Sequence, residues 1–326
     1  MYRKEKPITL KCSTSHLYNN LSVFTNQQKG LLSYAVVHKS VVNIVTASTD
    51  GANVTGKQVV YKEPSATQQG NPFVFQAKWI VLPQRTVLVL TSQRGIQMFD
   101  GDGSVMIYWH ALSQDPDKSC FARGITDMGD NLICVGTEDG HILIFNIPPK
   151  STNINHLDTL KGAYSSAICD LASEKNILVS SDDQGNIVVW KFLGQQFQQS
   201  HKIAGSGVPC TSVRLWKGII VGGYGSGHIR VYSAASGKIG AEVTAHGRMI
   251  NSIDIATQSG LVLSVSDDSF FRVWQLQEGN LPQISYKCHE MVTDLQLVGG
   301  CFVDPQGRAI SLTGYDNSEI QFYIKS

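Results

Sequence analysis

A short pattern recurs along the chain at near-constant spacing: a branched or aromatic residue, two further residues, then an aromatic. It joins Ile96 to Phe99, Ile142 to Phe145, Ile187 to Trp190, Ile229 to Tyr232, Phe271 to Trp274 and Ile320 to Tyr323. Successive aromatics stand 46, 45, 42, 42 and 49 residues apart. A period in this range marks a chain of stacked supersecondary units, none of which buries its apolar face alone.

Each unit has the same internal order. A β-branched run ending in small residues precedes each pattern, at 87–91, 132–137, 177–181, 218–223, 261–266 and 309–314, and a polar or glycine-containing turn separates the two. That is strand, tight turn, strand. An apolar-alternating stretch further upstream supplies another strand, as at 125–128, 168–171, 250–253 and 292–295. A fourth follows the aromatic, as at 104–110, 195–203 and 238–244. The first 70 residues hold a degenerate further unit, with apolar runs at 21–24, 31–37, 41–45 and 58–61. The last unit stops at Tyr323 without a fourth strand, whereas residues 7–11 have no unit of their own.

Four-stranded antiparallel sheets of this kind bury both faces when packed radially as a β-propeller. The predicted fold is all-β: one seven-bladed propeller over 1–326, closed by an N-terminal strand at about 5–12 that completes the last blade with about 290–324. The 326 residues would otherwise suggest two ordinary domains, but seven such periods use nearly all of them. The acid balance agrees with many tight reversals: 18 Asp against 8 Glu, beside 30 Gly.

The chain resembles the WD-repeat family, most strongly in the sixth blade. The family's hydrogen-bonded tetrad there has matching positions in His246, Ser264 or Ser266, Asp268 and Trp274, with Ser266 taken as its serine. Elsewhere the tetrad decays. The Asp position is Asp139 in blade three but Gln93, Gln184, Ser226 and Asn317 in others; the His position is Ala163 in blade four and His289 in blade seven, and no Trp-Asp dipeptide occurs. Segments outside the generic motif, at 19–23, 94–98, 108–112, 121–125 and 207–210, with Gly314, Tyr315 and Asp316, match one member of the family more than the family at large. The resemblance implies a cytoplasmic propeller that works through protein contacts.

Charge and composition narrow the partners. Lys plus Arg total 27 against 26 Asp plus Glu, a net charge of +1, which argues against a dedicated nucleic-acid or anionic-lipid binder. The seven cysteines are spread without a C-x-x-C pair, so neither a zinc site nor a disulfide framework is expected. No apolar h-region follows Met1-Tyr2-Arg3-Lys4, and no run is long enough to span a bilayer as a helix. The expected compartment is the cytosol, with membrane association only through partners.

Catalytic motifs fail on context. Residues 51–58 approach a P-loop but carry Gln58 where a hydroxyl should hold magnesium, and Val59-Val60-Tyr61 reads as strand where a helix is required. Gly222, Gly223, Gly225 and Gly227 lack dinucleotide-binding spacing and precede a strand. His289-Glu290 has no second His for a zinc helix. His246, Asp268 and a serine suggest a hydrolase triad, but the register assigns them to a buried tetrad. No cofactor or metal is expected.

Two binding sites remain as expectations. In an antiparallel meander the inner-strand starts and the second-to-third turns share one end of the ring. That places Arg94, Arg123, Tyr224, Arg248, Met249, Met291 and Tyr315 on one face, residue types enriched at interface centres. Asp127, Asp170 and Asp294, with Ser212 and Ser252 between, are expected at equivalent inner-strand positions as a partial acidic ring around the channel. The loops at 62–72 and 148–153, and glutamine pairs such as Gln27-Gln28 and Gln68-Gln69, are expected at the surface. The leading reading is a non-enzymatic scaffold binding proteins or peptides on that face. The alternatives are a reader of basic peptides through the channel and, third, an enzyme with cross-blade residues; self-association stays open.

Overall fold

The computed structural model describes residues 1–26, 29–48, 53–61, 72–113, 120–129, 131–150 and 153–326. Residues 62–71, 151 and 152 of the two expected loops, and Gln27, Gln28, Gln68 and Gln69, lie outside them. Seven antiparallel sheets follow one another along the chain, six of them four-stranded meanders. Their inner strands are Ser22–Asn26, Val74–Val81, Ala122–Met128, Ile168–Glu174, Cys210–Trp216, Ile250–Ala256 and Leu297–Phe302. The seventh sheet closes the ring: Tyr2–Lys4 and Ile8–Thr9 both pair with Glu319–Lys325, Tyr2 opposite Lys325 and Ile8 opposite Ile320.

The core lies between blades. Leu263, Val265, Phe271 and Val273 of blade six meet Leu297, Ile310, Leu312 and Tyr323 of blade seven in one apolar cluster. The N-terminal strand is bolted into this seam. Tyr2 sets its ring edge-on to Phe271 at 6.1 Å, and its hydroxyl donates to the Gly307 carbonyl. Each fully buried aliphatic or aromatic side chain here contributes about 1.5 to 3 kcal/mol, which is why blades with little shared motif still stack.

Six inner strands bulge near their starts, where the register to the second strand shifts. The extra residue turns sideways to the next blade: Thr211 donates to the Ile250 carbonyl, and Asn251 to the Leu297 carbonyl at 2.7 Å. Ladder groups freed by the bulges thus tie successive blades together around the axis.

The last blade departs from expectation. Its inner strand begins at Leu297, whereas 292–295 forms a turn with Asp294 at φ 56°. Gly299 and Gly300 explain the shift: a Cβ at Gly299 would stand 2.7 Å from Asn20 and Leu21, so this stretch is where neighbouring chain approaches the axis. Residues 54–58 of the P-loop-like segment lie in the strand Val54–Val60, with 51 and 52 outside the described residues, and Gly222 and Gly223 lie in the strand Ile219–Tyr224.

Candidate functional site: the upper face and the central channel

The end of the ring carrying inner-strand starts and second-to-third turns is called the upper face. Beneath it in blade six, the buried polar chain of His246, Asp268, Ser264 and Trp274 holds the rim. Trp274 Nε1 donates to Ser264 Oγ at 3.0 Å, Ser264 meets His246 Nε2 at 2.8 Å, and His246 Nδ1 meets Asp268 at 3.0 Å. The serine of the chain is therefore Ser264, not Ser266. Ser266 stands one cross-strand pair nearer the turn, donating to the Arg248 carbonyl and accepting the Asp268 N–H. Burial pushes the Asp268 carboxyl up, but the bond and charge of His246 and the N–H groups of Gly247 and Phe270 outweigh it and hold the group well below the carboxylate range. Burial, with the Arg272 charge adding to it, lowers the His246 pKa against the opposing bond and charge of Asp268. Ser264 is fully buried and already shared by two nitrogens, so this is no nucleophile.

Other blades fill the same positions differently. In blade four Tyr164, not Ala163, occupies the histidine's place: its hydroxyl bonds Ser180 Oγ at 2.8 Å, and Trp190 Nε1 donates to the same oxygen at 3.0 Å. In blade five Gly222 replaces the serine and the Tyr224 ring covers it, with Tyr224 and Tyr232 hydroxyls 2.9 Å apart. Tyr224 is 1% exposed, so it belongs to the core and cannot contact a partner. His289 also leaves its expected place. It lies in the outer strand of blade six, Gln283–Met291, bonded to the Tyr286 hydroxyl at 2.6 Å.

The chain's own segment 14–20 lies across the upper mouth of the channel. Asn19 donates its backbone N–H to Asn251 O at 2.8 Å and its side-chain amide to Thr211 O at 3.0 Å, and accepts Ser212 Oγ–H at 2.8 Å. Asn20 braces blade one through both atoms of its amide against Val37. Arg123 clamps the segment: its guanidinium lies 4.3 Å from the Tyr18 ring centre, bonds the Tyr18 hydroxyl, and also faces Phe75 and Phe121 at 5.1 and 5.2 Å. Its charged head is thus engaged within the molecule.

Of the seven residues expected on this face, the exposed ones lie on blades six and seven. Tyr315 and Met291 are 49% and 56% exposed, Arg248 is exposed and Met249 half-buried. A shallow hollow of about 480 Å³ lies among Gly247, Arg248, Asp267, Ser269, Asp294 and Gln296. His16, from the crossing segment, bonds Asp267 at 3.1 Å and packs edge-on against Tyr315 at 5.2 Å. Arg94, on blade two, is half-buried. Sequence reasoning missed His16 and the place of Asp294 in this patch, since neither belongs to a repeat position.

The expected acidic ring does not assemble. Asp170 is fully buried opposite Ser181, and Ser212 and Ser252 share its level, opposite Gly223 and Val265. Asp127 stands opposite Ile133, three residues further along its strand, at the level of Ser173, and Asp294 precedes its strand altogether. The local likeness of Ile-Thr-Asp-Met to Ile-Cys-Asp-Leu is out of step with the sheet because the bulges fall differently. The charges that do line the channel include Lys78, Arg214 and Asp254, which local pattern reading passed over. Among the described residues no three His, Cys, Asp or Glu side chains gather as a metal site, and no helix is long and apolar enough to cross a membrane.

Comparison with known proteins agrees with this architecture. The solved propeller in the crystal structure of a mitotic checkpoint complex superposes with TM-score 0.74 at 17% identity, covering 98% of this chain and 91% of that one. The WD40 repeats of RRP9 give 0.72 at 14% identity, covering 99% of both. Among curated proteins, WD repeat domain 54 of Rattus norvegicus is 40% identical over 334 residues, and WD repeat-containing protein 54 of Homo sapiens 39% identical over 336, each covering 98% of both chains. A family model described as WDR54 matches residues 1–325, and the chain belongs to that family.

Proposed function

We propose that this protein is a non-enzymatic scaffold that grips a partner polypeptide across the upper face of blades six and seven. WD-repeat propellers generally act as protein-interaction scaffolds. The observation that carries the reading is exposed Arg248 in the wall of one hollow, with exposed Tyr315 and Met291 on the same two blades, on an end of the ring whose channel the chain itself blocks. Aromatic, Met and Arg side chains supply interface anchors, and Arg248 and Asp294 bring both signs of charge to the hollow. The propeller of a mitotic checkpoint complex, similar in fold, is itself part of a protein assembly.

Quantitative affinity purification tests this with three forms of the chain: wild type, the Arg248→Glu and Tyr315→Ala double variant, and an Arg308→Glu control. Partners are expected to fall at least tenfold with the double variant, since truncating a central anchor costs about 2 kcal/mol or more. They should persist with the control. Retention of every partner by the double variant refutes the face.

A further inference from the structure

Below the crossing segment the channel widens into a hollow of about 680 Å³ that opens on the lower face, within the size range of small-ligand pockets. Its wall is charged in a specific order. Lys78, Thr126, Ala172, Arg214, Asp254 and Cys301 occupy one level of six successive inner strands, opposite Val89, Cys134, Val179, Val221, Leu263 and Ser311. Asp127 lies one residue lower. Asp304 and Arg308 also line the hollow but pair with each other at 3.2 Å, which leaves two cations and two carboxylates from four different blades facing the same space.

Their pairing within the protein is incomplete. Arg214 is committed, donating to Asp170 at 2.7 Å, and it stands 3.9 Å from Asp254. Lys78 is half-buried and makes one bond, to the Ile125 carbonyl at 2.7 Å, which leaves two N–H donors. Asp254 accepts the Phe302 N–H at 2.7 Å and the backbone N–H of Ile255, and no hydrogen-bond donor among the described residues reaches Asp127. Burial, with Arg214 adding to it, lowers the Lys78 pKa, and burial raises that of Asp254. Both shifts are those of ions poorly compensated by their surroundings.

We infer that the lower channel is a binding pocket for a compact zwitterion carrying an α-ammonium and a carboxylate, as free amino acids and short peptides do. Charge excludes the simpler ligands. A lone cation is opposed by Lys78 and Arg214, and a lone anion by Asp127 and Asp254. An apolar molecule strips water from four ions and returns no hydrogen bond. A zwitterion answers both signs: its carboxylate takes the free Lys78 donors, and its ammonium the open oxygens of Asp127 and Asp254.

Calorimetry and thermal shift on the full chain test this with alanine, triglycine and N-acetyl-triglycine amide, which has no charged ends. Saturable binding of alanine or triglycine is expected, and none of the blocked peptide; which of the two binds distinguishes a free amino acid from a chain terminus. Asp127→Asn and Lys78→Met should each weaken binding at least tenfold, while Arg248→Glu on the opposite face leaves it unchanged. Should Lys78→Met fail to fold, the isosteric and more exposed Asp127→Asn carries the test. No saturable binding by either zwitterion, equal binding of the blocked peptide, or unchanged affinity in Asp127→Asn overturns the assignment and leaves a channel filled by water.

Discussion

Ser264→Ala is the sharpest test of how blade six is held. The Oγ of Ser264 serves two buried nitrogens, Trp274 Nε1 and His246 Nε2, and both residues are at most 6% exposed. Removing it leaves two unpaired polar atoms that water cannot reach, at about 1 to 3 kcal/mol each, so a total of roughly 2 to 6 kcal/mol is expected. Unfolding entropy of about 2.1 cal/mol/K per residue makes roughly 0.7 kcal/mol/K for a chain of 326 residues, so the melting midpoint should drop by about 3 to 9 °C. Ser266→Ala is the control. That hydroxyl is equally buried, but it serves the Asp268 N–H and the Arg248 carbonyl at the rim, where solvent replaces the lost bonds, so about 1 kcal/mol is expected. Differential scanning fluorimetry and urea unfolding read both variants. With Trp274→Phe the Ser264→Ala cost should shrink by about 1 kcal/mol, because one of the two orphaned groups is then gone. A Ser266→Ala loss equal to or larger than that of Ser264→Ala refutes the assignment.

Two further outcomes are expected. Because the folded-state pKa of His246 lies below its ordinary value near 6.5, its contribution is fully present above that pH and is lost as pH falls through it toward the folded value. Melting midpoints of wild type should thus fall more steeply from pH 7 to 5 than those of His246→Asn, and equal slopes count against the buried neutral imidazole. Asn19→Ala leaves the Thr211 carbonyl and the Ser212 hydroxyl short of a partner, costing about 2 to 4 kcal/mol, and hydrogen exchange at 14–20 should speed up while the outer strands stay protected; unchanged protection there would show that the side chain does not anchor the segment.

The ring was legible in the sequence because its cause is periodic. Six of the seven blades cover a neighbour with an aromatic on the third strand, so the spacing of Phe99, Phe145, Trp190, Tyr232, Trp274 and Tyr323 survives even where the polar motif is lost. The closing strand was legible too, because Tyr323 ends a unit one strand short. The sites were not, for two reasons. Inner-strand bulges shift register by a residue, and a one-residue shift decides which side chains reach the channel. That is how Asp127 was matched to Asp170 while Lys78, Arg214 and Asp254 went unnoticed. The crossing segment is the second reason. Tyr18, Asn19 and Asn20 belong to no repeat, yet they close the channel and engage Arg123, and nothing in local sequence says that residue 19 meets residues 211, 212 and 251.

The decay of the tetrad from blade to blade is itself explained by what the tetrad does. An aromatic on the third strand covers the neighbouring blade with its ring but brings a polar atom into the core if it is Trp or Tyr, and that atom must be paired. Blade six answers with Ser264, His246 and Asp268; blade four answers with Ser180 and Tyr164; blade five answers Tyr232 with Tyr224 across a glycine. Blades two and three carry Phe99 and Phe145, which pose no such demand, and there the serine positions are Leu90 and Val135, both fully buried. In these five blades the polar motif therefore follows the chemistry of the aromatic. Where the aromatic needs no partner the histidine and serine have no task, and the ring keeps its period without them.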